Sequence, residues 1–276
     1  MSRFSWLQRL INMGTFLWLG AFVLLALLIG KMATGLNGPS GHAKETTLRL
    51  TRSSFEILDY PSDKNTTSAI IIFGSGDGGW GDFEEAIGHA FQGQGYELIG
   101  IDSEAYAQTD YDLLTLQSDF SVIADKAELP FGSHPPPLVI GGYSMGAAQA
   151  IAVAGGPNRP HGMIGLLLID PLSRGRYGLR SSDQMNVLPT GAGTFGVDSF
   201  ARNMDSLRVV QWHAAEDSID SRSWLDSLTV QHETLTFPGA GHDYSENRGD
   251  FLRQLIESFN WILKNPGNGS LTANAK

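Results

Sequence analysis

The chain has 276 residues, 42% of them hydrophobic and 17% charged, enough to bury the core of one large α/β domain or two small ones and too apolar for disorder over most of its length. It contains no cysteine, which excludes a disulfide framework, a thiol nucleophile, a thiolate metal site and a lipoprotein anchor. The first 31 residues hold three of the 19 basic residues and none of the 29 acidic ones, so the remainder carries a net charge of −13. Such a domain disfavours nucleic acid and bare anionic lipid as partners; it suits a cationic substrate, or the charge simply keeps it soluble.

In chain order, the first predicted element is the uncharged run LINMGTFLWLGAFVLLALLIG, Leu10 to Gly30. As a helix it would span roughly 31 Å, about the thickness of a hydrocarbon core. Arg3 and Arg9 before it and Lys31 after it predict a short cytoplasmic N-terminus over 1–9, a transmembrane anchor over 10–30 and the domain on the outer side of the membrane. A signal peptide cut near Ala33 or Gly35 is the competing reading, although its apolar region would be unusually long. Residues 31–45 read as a linker, 46–265 as the folded domain and 266–276 as a flexible tail.

Within the domain, TTLRL and SFEILDY read as an opening antiparallel pair. SAIIIF, YELIGI, PLVIGG, IGLLLID, LRVVQWH and ETLTF follow as strands, several of them apolar runs of the kind buried on both faces. DFEEAIGHAFQGQG, DYDLLTLQSDFSVIADKAEL, MGAAQAIAVAGG and GDFLRQLIESFNWIL read as helices between and after them; in the second, Leu113, Leu116, Phe120 and Ile123 line one face. Eight strands with interleaved helices predict a mostly parallel sheet covered on both sides, with its functional loops at the carboxyl ends of the strands.

One of those ends carries Gly142-Tyr143-Ser144-Met145-Gly146, a G-x-S-x-G between a strand and a helix rich in small residues. In that setting the motif is a nucleophile elbow, with Ser144 held clear of the backbone and the amide of Met145 aimed at a developing oxyanion. An ordinary glycine turn is the plainer reading. A serine nucleophile needs a base, and the base needs an acid. His242, in the loop after the last strand, satisfies the chain order Ser, Asp, His; His213 and His89 fall in a strand and a helix, where packing or surface roles are expected. For the acid, Asp217 lies just past the penultimate strand, with Glu216 beside it and Asp170, closing LLLID, as alternatives. The second oxyanion donor belongs after the third strand. There the sequence runs GSGDGGW, so the amide of Asp77 is the candidate, with Gly76 and Gly78 shaping the loop and Trp80 and Tyr143 near the substrate. A carboxylate beside an oxyanion hole calls for a cationic partner, and a substrate ammonium group is one.

SGDGGW, then GIDS after the next strand, then GYSMGA resemble the VirJ-type virulence proteins and the related C-terminal domain of AcvB, over roughly residues 68 to 263. The resemblance implies an α/β-hydrolase fold outside the bacterial cytoplasmic membrane and hydrolysis of aminoacyl-phosphatidylglycerol, releasing lysine or alanine from the headgroup. It carries the nucleophile onto Ser144 and the oxyanion loop onto Ser75 to Trp80, and it matches Asp217 and His242 by place in the fold. After Asp102-Ser103 the family is richer in aromatics than EAYAQTDYD is here. The expected activity is therefore that of a membrane-anchored periplasmic serine hydrolase acting on an aminoacylated phospholipid or another small ester, with Asp77, Glu104 or Asp110 meeting the ammonium group. A generic esterase or thioesterase, and a secretion-associated interaction module with an idle serine, are the alternatives.

The stretch from Pro171 to Phe200 reads as a cap or lid, with Arg174, Arg176 and Arg180 available to lipid phosphate or to solvent. Its Gly191, Gly193 and Gly196 spell G-x-G-x-x-G, but no predicted strand precedes them, which argues against dinucleotide binding. No spacing of His, Asp and Glu suggests a metal site, and the chemistry requires no cofactor.

Overall fold

The central apolar runs form one sheet because they are buried on both faces, and the partly exposed outer runs flank them. The computed structural model describes residues 43–183, 187–217 and 222–264. Its strands are β1 (Lys44–Arg49), β2 (Ser54–Tyr60), β3 (Ile70–Gly74), β4 (Glu97–Ile101), β5 (Leu138–Tyr143), β6 (Met163–Ile169), β7 (Arg174–Arg176), β8 (Thr194–Gly196), β9 (Arg208–Ala214) and β10 (His232–Phe237). The main sheet runs in the order β1-β2-β4-β3-β5-β6-β9-β10. The first two strands pair antiparallel, β2 meets β4 antiparallel, and the rest is parallel. β1 begins at Lys44, two residues before the predicted domain boundary.

The helices are α1 (Asp82–Gln94), α2 (Ser103–Ala107), α3 (Leu113–Glu128), α4 (Met145–Gly155) and α5 (Arg248–Leu263). Their ends are set by local chemistry. Asp112 accepts a hydrogen bond from the Thr115 amide at 2.7 Å to start α3, and Asp102 does the same from Ala105 at 2.9 Å to start α2. Gly95, at φ +90°, ends α1 in a left-handed turn whose following amide, that of Tyr96, reaches back to the Phe91 carbonyl.

Strand alternation sorts the core into two layers. Ile70, Ile72, Ile140, Leu166, Leu168 and Val209 face α3 and α4. Ile71, Phe73, Val139, Leu167, Val210 and Trp212 face α1 and α5. Every residue of α4 is buried, as its run of alanine and glycine allows at such close approach. The segment predicted as a lid folds in part as the antiparallel ribbon β7-β8, two strands the sequence pattern did not reveal. Among the described residues no helix is long and apolar enough to cross a membrane; the predicted span 10–30 and the tail 266–276 lie outside them.

Candidate active site

Ser144 sits between β5 and α4 at φ +51°, ψ −111°, a backbone conformation that a non-glycine residue adopts only when its surroundings impose it. They do so here. Its amide donates to the Ile169 carbonyl at 2.9 Å, and the Gly146 amide donates to the Ser75 carbonyl at 3.0 Å. A Cβ on Gly142 would lie 2.4 Å from the Gly146 carbonyl carbon, and one on Gly146 would lie 2.4 Å from Gly74. Only glycine permits this three-way contact of backbone. The turn leaves the Met145 amide at the first position of α4, where no carbonyl inside the helix can accept it.

The β3 loop comes against the serine from the other side. A Cβ on Gly76 would fall 3.1 Å from the Tyr143 ring and 3.7 Å from Ser144 Cβ. The loop is tied down by Ser75, whose amide donates to Ile101 at 3.0 Å and whose hydroxyl accepts from the Ser103 amide at 2.9 Å. Glu84 reaches back from α1, accepting from the Gly81 amide at 3.1 Å and the Gly76 amide at 3.4 Å. It is 4% exposed, and burial raises its carboxyl above the ordinary range despite those two amides. This buried acid under the loop was not legible as a site residue; the only sequence signal is an acidic side chain three residues after Gly81, the spacing of a helix-start cap.

His242 and Asp217 meet. His242 Nδ1 and Asp217 Oδ2 are 2.6 Å apart, which fixes the proton on Nδ1 and leaves Nε2 as the basic nitrogen. The imidazole is held beside the elbow by Tyr143, whose hydroxyl donates to the His242 carbonyl at 2.7 Å and whose ring centroid is 4.9 Å from the imidazole. Among the hydrogen bonds of the described residues none joins Ser144 to His242, a bond that in such sites commonly tightens only when substrate binds. Asp170 approaches the same nitrogen of His242, its Oδ2 3.9 Å from Nδ1. Glu216 is exposed. Asp170, Asp217 and His242 each place one ligating atom within 4.8 Å of the others, but the 2.6 Å separation is that of a hydrogen bond, closer than two ligands sit on one ion. His213, buried at the end of β9, is pushed to lower pKa by burial.

Several expected contacts are spent on the fold. The Trp80 indole donates to the Tyr60 hydroxyl at 2.9 Å and covers Gly100, where an added Cβ would meet it at 2.5 Å; packing accounts for this tryptophan without a substrate. Tyr143, expected to touch substrate, has its hydroxyl committed to the histidine loop. Arg176 is buried and bound to Asp183 at 2.8 Å and to the Thr190 carbonyl at 2.7 Å, partners within the segment itself. Arg180 holds Asp110 in a solvent-exposed, two-point ion pair at 2.6 and 2.7 Å, so each of these charges already faces the other. Arg174 is exposed. Asp77 and Met145 line a small cleft together with Leu172, Leu179, Pro189 and the Arg176–Asp183 pair; Gly78 has open space beside it.

Residues 68–167 match the model of a family described as bacterial virulence protein (VirJ), the family whose motifs the sequence shares. No curated protein matches the chain. Among solved structures, the esterase domain from a Rhodothermus marinus protein superposes with a TM-score of 0.58 at 16% identity, over 80% of this chain and 98% of that one. A soluble variant of monoglyceride lipase from Saccharomyces cerevisiae gives 0.60 at 13% identity, over 83% and 97%. An alpha-beta serine hydrolase homologue from Coxiella burnetii gives 0.57 at 12% identity, over 80% and 99%. At such identities the likeness is one of fold. The chain is thus VirJ-like over residues 68–167, the stretch that includes the glycine loop and the serine elbow, and it carries that stretch within an α/β-hydrolase fold.

Proposed function

We propose that the protein is a serine esterase and that its substrate is the aminoacyl ester of a phospholipid such as lysyl- or alanyl-phosphatidylglycerol. The observation that carries the esterase reading is the 2.6 Å pair of His242 and Asp217 beside a serine in a strained elbow. Ser144 Oγ attacks the ester carbonyl while its proton passes to His242 Nε2, and Asp217 stabilises the imidazolium through Nδ1. The carbonyl oxygen, now negative, accepts from the amides of Met145 and Asp77. The lipid alcohol leaves with the proton from His242, and water then releases the amino acid from Ser144 by the same steps reversed.

The aminoacyl specificity draws support from the net charge of −13 beyond residue 31 and from Asp77 at the cleft beside Met145, where an ammonium group next to the ester carbonyl would meet an anion. The uncharged run 10–30, with Arg3 and Arg9 before it, supports a single membrane anchor with the domain in the periplasm, within reach of a lipid that stays in the bilayer. Hydrolysis of lysyl-lipid, alanyl-lipid and short-chain esters by the purified protein tests the reading. Wild type should prefer the aminoacyl lipids, and Ser144→Ala should lose on the order of 10⁴-fold or more in kcat. Full activity in Ser144→Ala would refute the esterase; equal rates on all esters would leave the esterase and refute the aminoacyl specificity.

A further inference from the structure

Asp170, the residue after β6, has φ +43° and is fully buried. A left-handed backbone at a non-glycine residue costs on the order of 1 kcal/mol, and here it directs the carboxylate under β9. There Oδ1 accepts from the Ala214 amide at 2.9 Å and lies 3.6 Å from His213 Nδ1. Oδ2 lies 3.9 Å from His242 Nδ1, the nitrogen that Asp217 already engages. One imidazole nitrogen therefore has carboxylates from two different strand ends within reach.

We infer that Asp170 is a second positioning acid for His242, able to take its Nδ1 proton when Asp217 is lost. This rests on the esterase reading above. Both acids are tied to the ends of neighbouring strands. Asp217 follows β9 by three residues, its amide bonded to the Ala214 carbonyl at 3.1 Å in a turn. Asp170 is anchored through both its amide, bonded to the Trp212 carbonyl at 3.0 Å, and its side chain. A rotation of the His242 ring that closes the 3.9 Å gap would put Nδ1 on an acceptor already fixed in place. The other charged and titratable groups around this point are Tyr143 from β5, whose hydroxyl is raised by burial and by Asp170, Glu84, Asp77 and Asp217, and His213 from β9, with Arg222 acting on it.

The test reads the rate at which a fluorophosphonate probe labels Ser144, which needs no knowledge of the natural substrate. Labelling forms the Oγ–P bond, breaks P–F and passes the hydroxyl proton to His242, so it reports the base directly. Asp217→Ala, which leaves Nδ1 free to turn, should label about 10- to 100-fold more slowly than wild type, where loss of a lone acid costs on the order of 10⁴-fold. Asp170→Asn keeps an acceptor for the Ala214 amide and should slow labelling only several-fold. It should also move the acid limb of the rate–pH profile to lower pH, because one anion beside the imidazole is gone; a merely structural role would leave that limb in place. The double variant should lose more than the product of the two single losses.

Labelling of Asp217→Ala at the background of Ser144→Ala would overturn the inference without recourse to any Asp170 variant. So would an unmoved acid limb in a folded Asp170→Asn, or losses that simply multiply. Wild-type protein that resists the probe would instead overturn the esterase reading, and a labelled wild type with an inert Asp217→Ala would overturn only the role of Asp170.

Discussion

Two glycine-rich stretches, 74–79 and 191–196, use the same residue for opposite reasons. At Gly74 in the first, and at Gly142 and Gly146 in the elbow it touches, glycine is required by what lies next to it: added Cβ atoms there would meet other backbone or side-chain atoms at 2.4 to 3.0 Å. In the second, Gly191 has nothing within 4 Å and Gly193 only the Arg176 side chain at 3.9 Å, while their φ values of +89° and +77° serve the turn that closes the β7-β8 ribbon. The first stretch brings separate strands together; in the second, Gly191 and Gly193 serve a local turn and Gly196 leaves room for the Asp198 side chain, which an added Cβ would meet at 2.4 Å. A glycine pattern thus carries chemistry where the backbone of another segment needs the space, and its spelling alone does not reveal which case applies.

Substitutions can break this contrast. Gly146→Ala should be the most damaging, since its Cβ would fall on the backbone of Gly74 and Ser75; a loss of about 3 kcal/mol, seen as a Tm lowered by roughly 5 to 10 °C, is expected with activity abolished. Gly76→Ala meets the Tyr143 ring at 3.1 and 3.2 Å, neighbours that can yield by a few tenths of an ångström. It should keep most of its Tm and lose about 10- to 100-fold in kcat through a displaced loop. Gly191→Ala should cost about 1 kcal/mol from its positive φ, with kcat within about twofold of wild type. A kcat loss in Gly191→Ala as large as in Gly76→Ala would erase the distinction.

The buried acid beneath the first stretch sharpens it further. Glu84 has a folded-state pKa above its ordinary 4.5 because of burial, with Asp102 adding to it. The stability tied to this group is therefore fully present below pH 4.5 and is lost as pH rises through the raised value. Glu84→Gln, neutral throughout, should flatten that decline, so that its Tm relative to wild type becomes more favourable as pH rises from 4.5 to neutrality. Its kcat should fall less than that of Gly76→Ala, because the amide oxygen still accepts one of the two loop amides. A pH-independent Tm difference would show that the acid bears no such strain.

The main sheet was legible because its strands are short apolar runs separated by turns, and burial on both faces leaves such runs few other uses. The ribbon β7-β8 was not, since three-residue strands such as Arg174–Arg176 carry no periodicity to read. The strand ends also marked Ser144, Asp217 and His242, because chain order and the place of loops in a parallel sheet restrict where such groups can stand. Chain order could not rank Asp217 above Asp170 by distance, nor show that Tyr143 would hold the histidine loop. The partners of Trp80, Arg176 and Asp110 were hidden for a related reason. An indole, a guanidinium and a carboxylate near a cleft suggest ligand contacts, yet each was claimed by a nearer partner, Tyr60, Asp183 and Arg180.

The amino-acid order by itself determined the layered α/β architecture and the need for glycine at the elbow, since hydrophobic periodicity and backbone sterics act over a few residues. The tertiary structure alone decided which acids reach His242, which charges pair with each other and which glycines touch another segment. Those outcomes depend on groups far apart in the chain, as the 70 positions between Asp110 and Arg180 show, and they are settled only when the sheet sets the strand ends side by side.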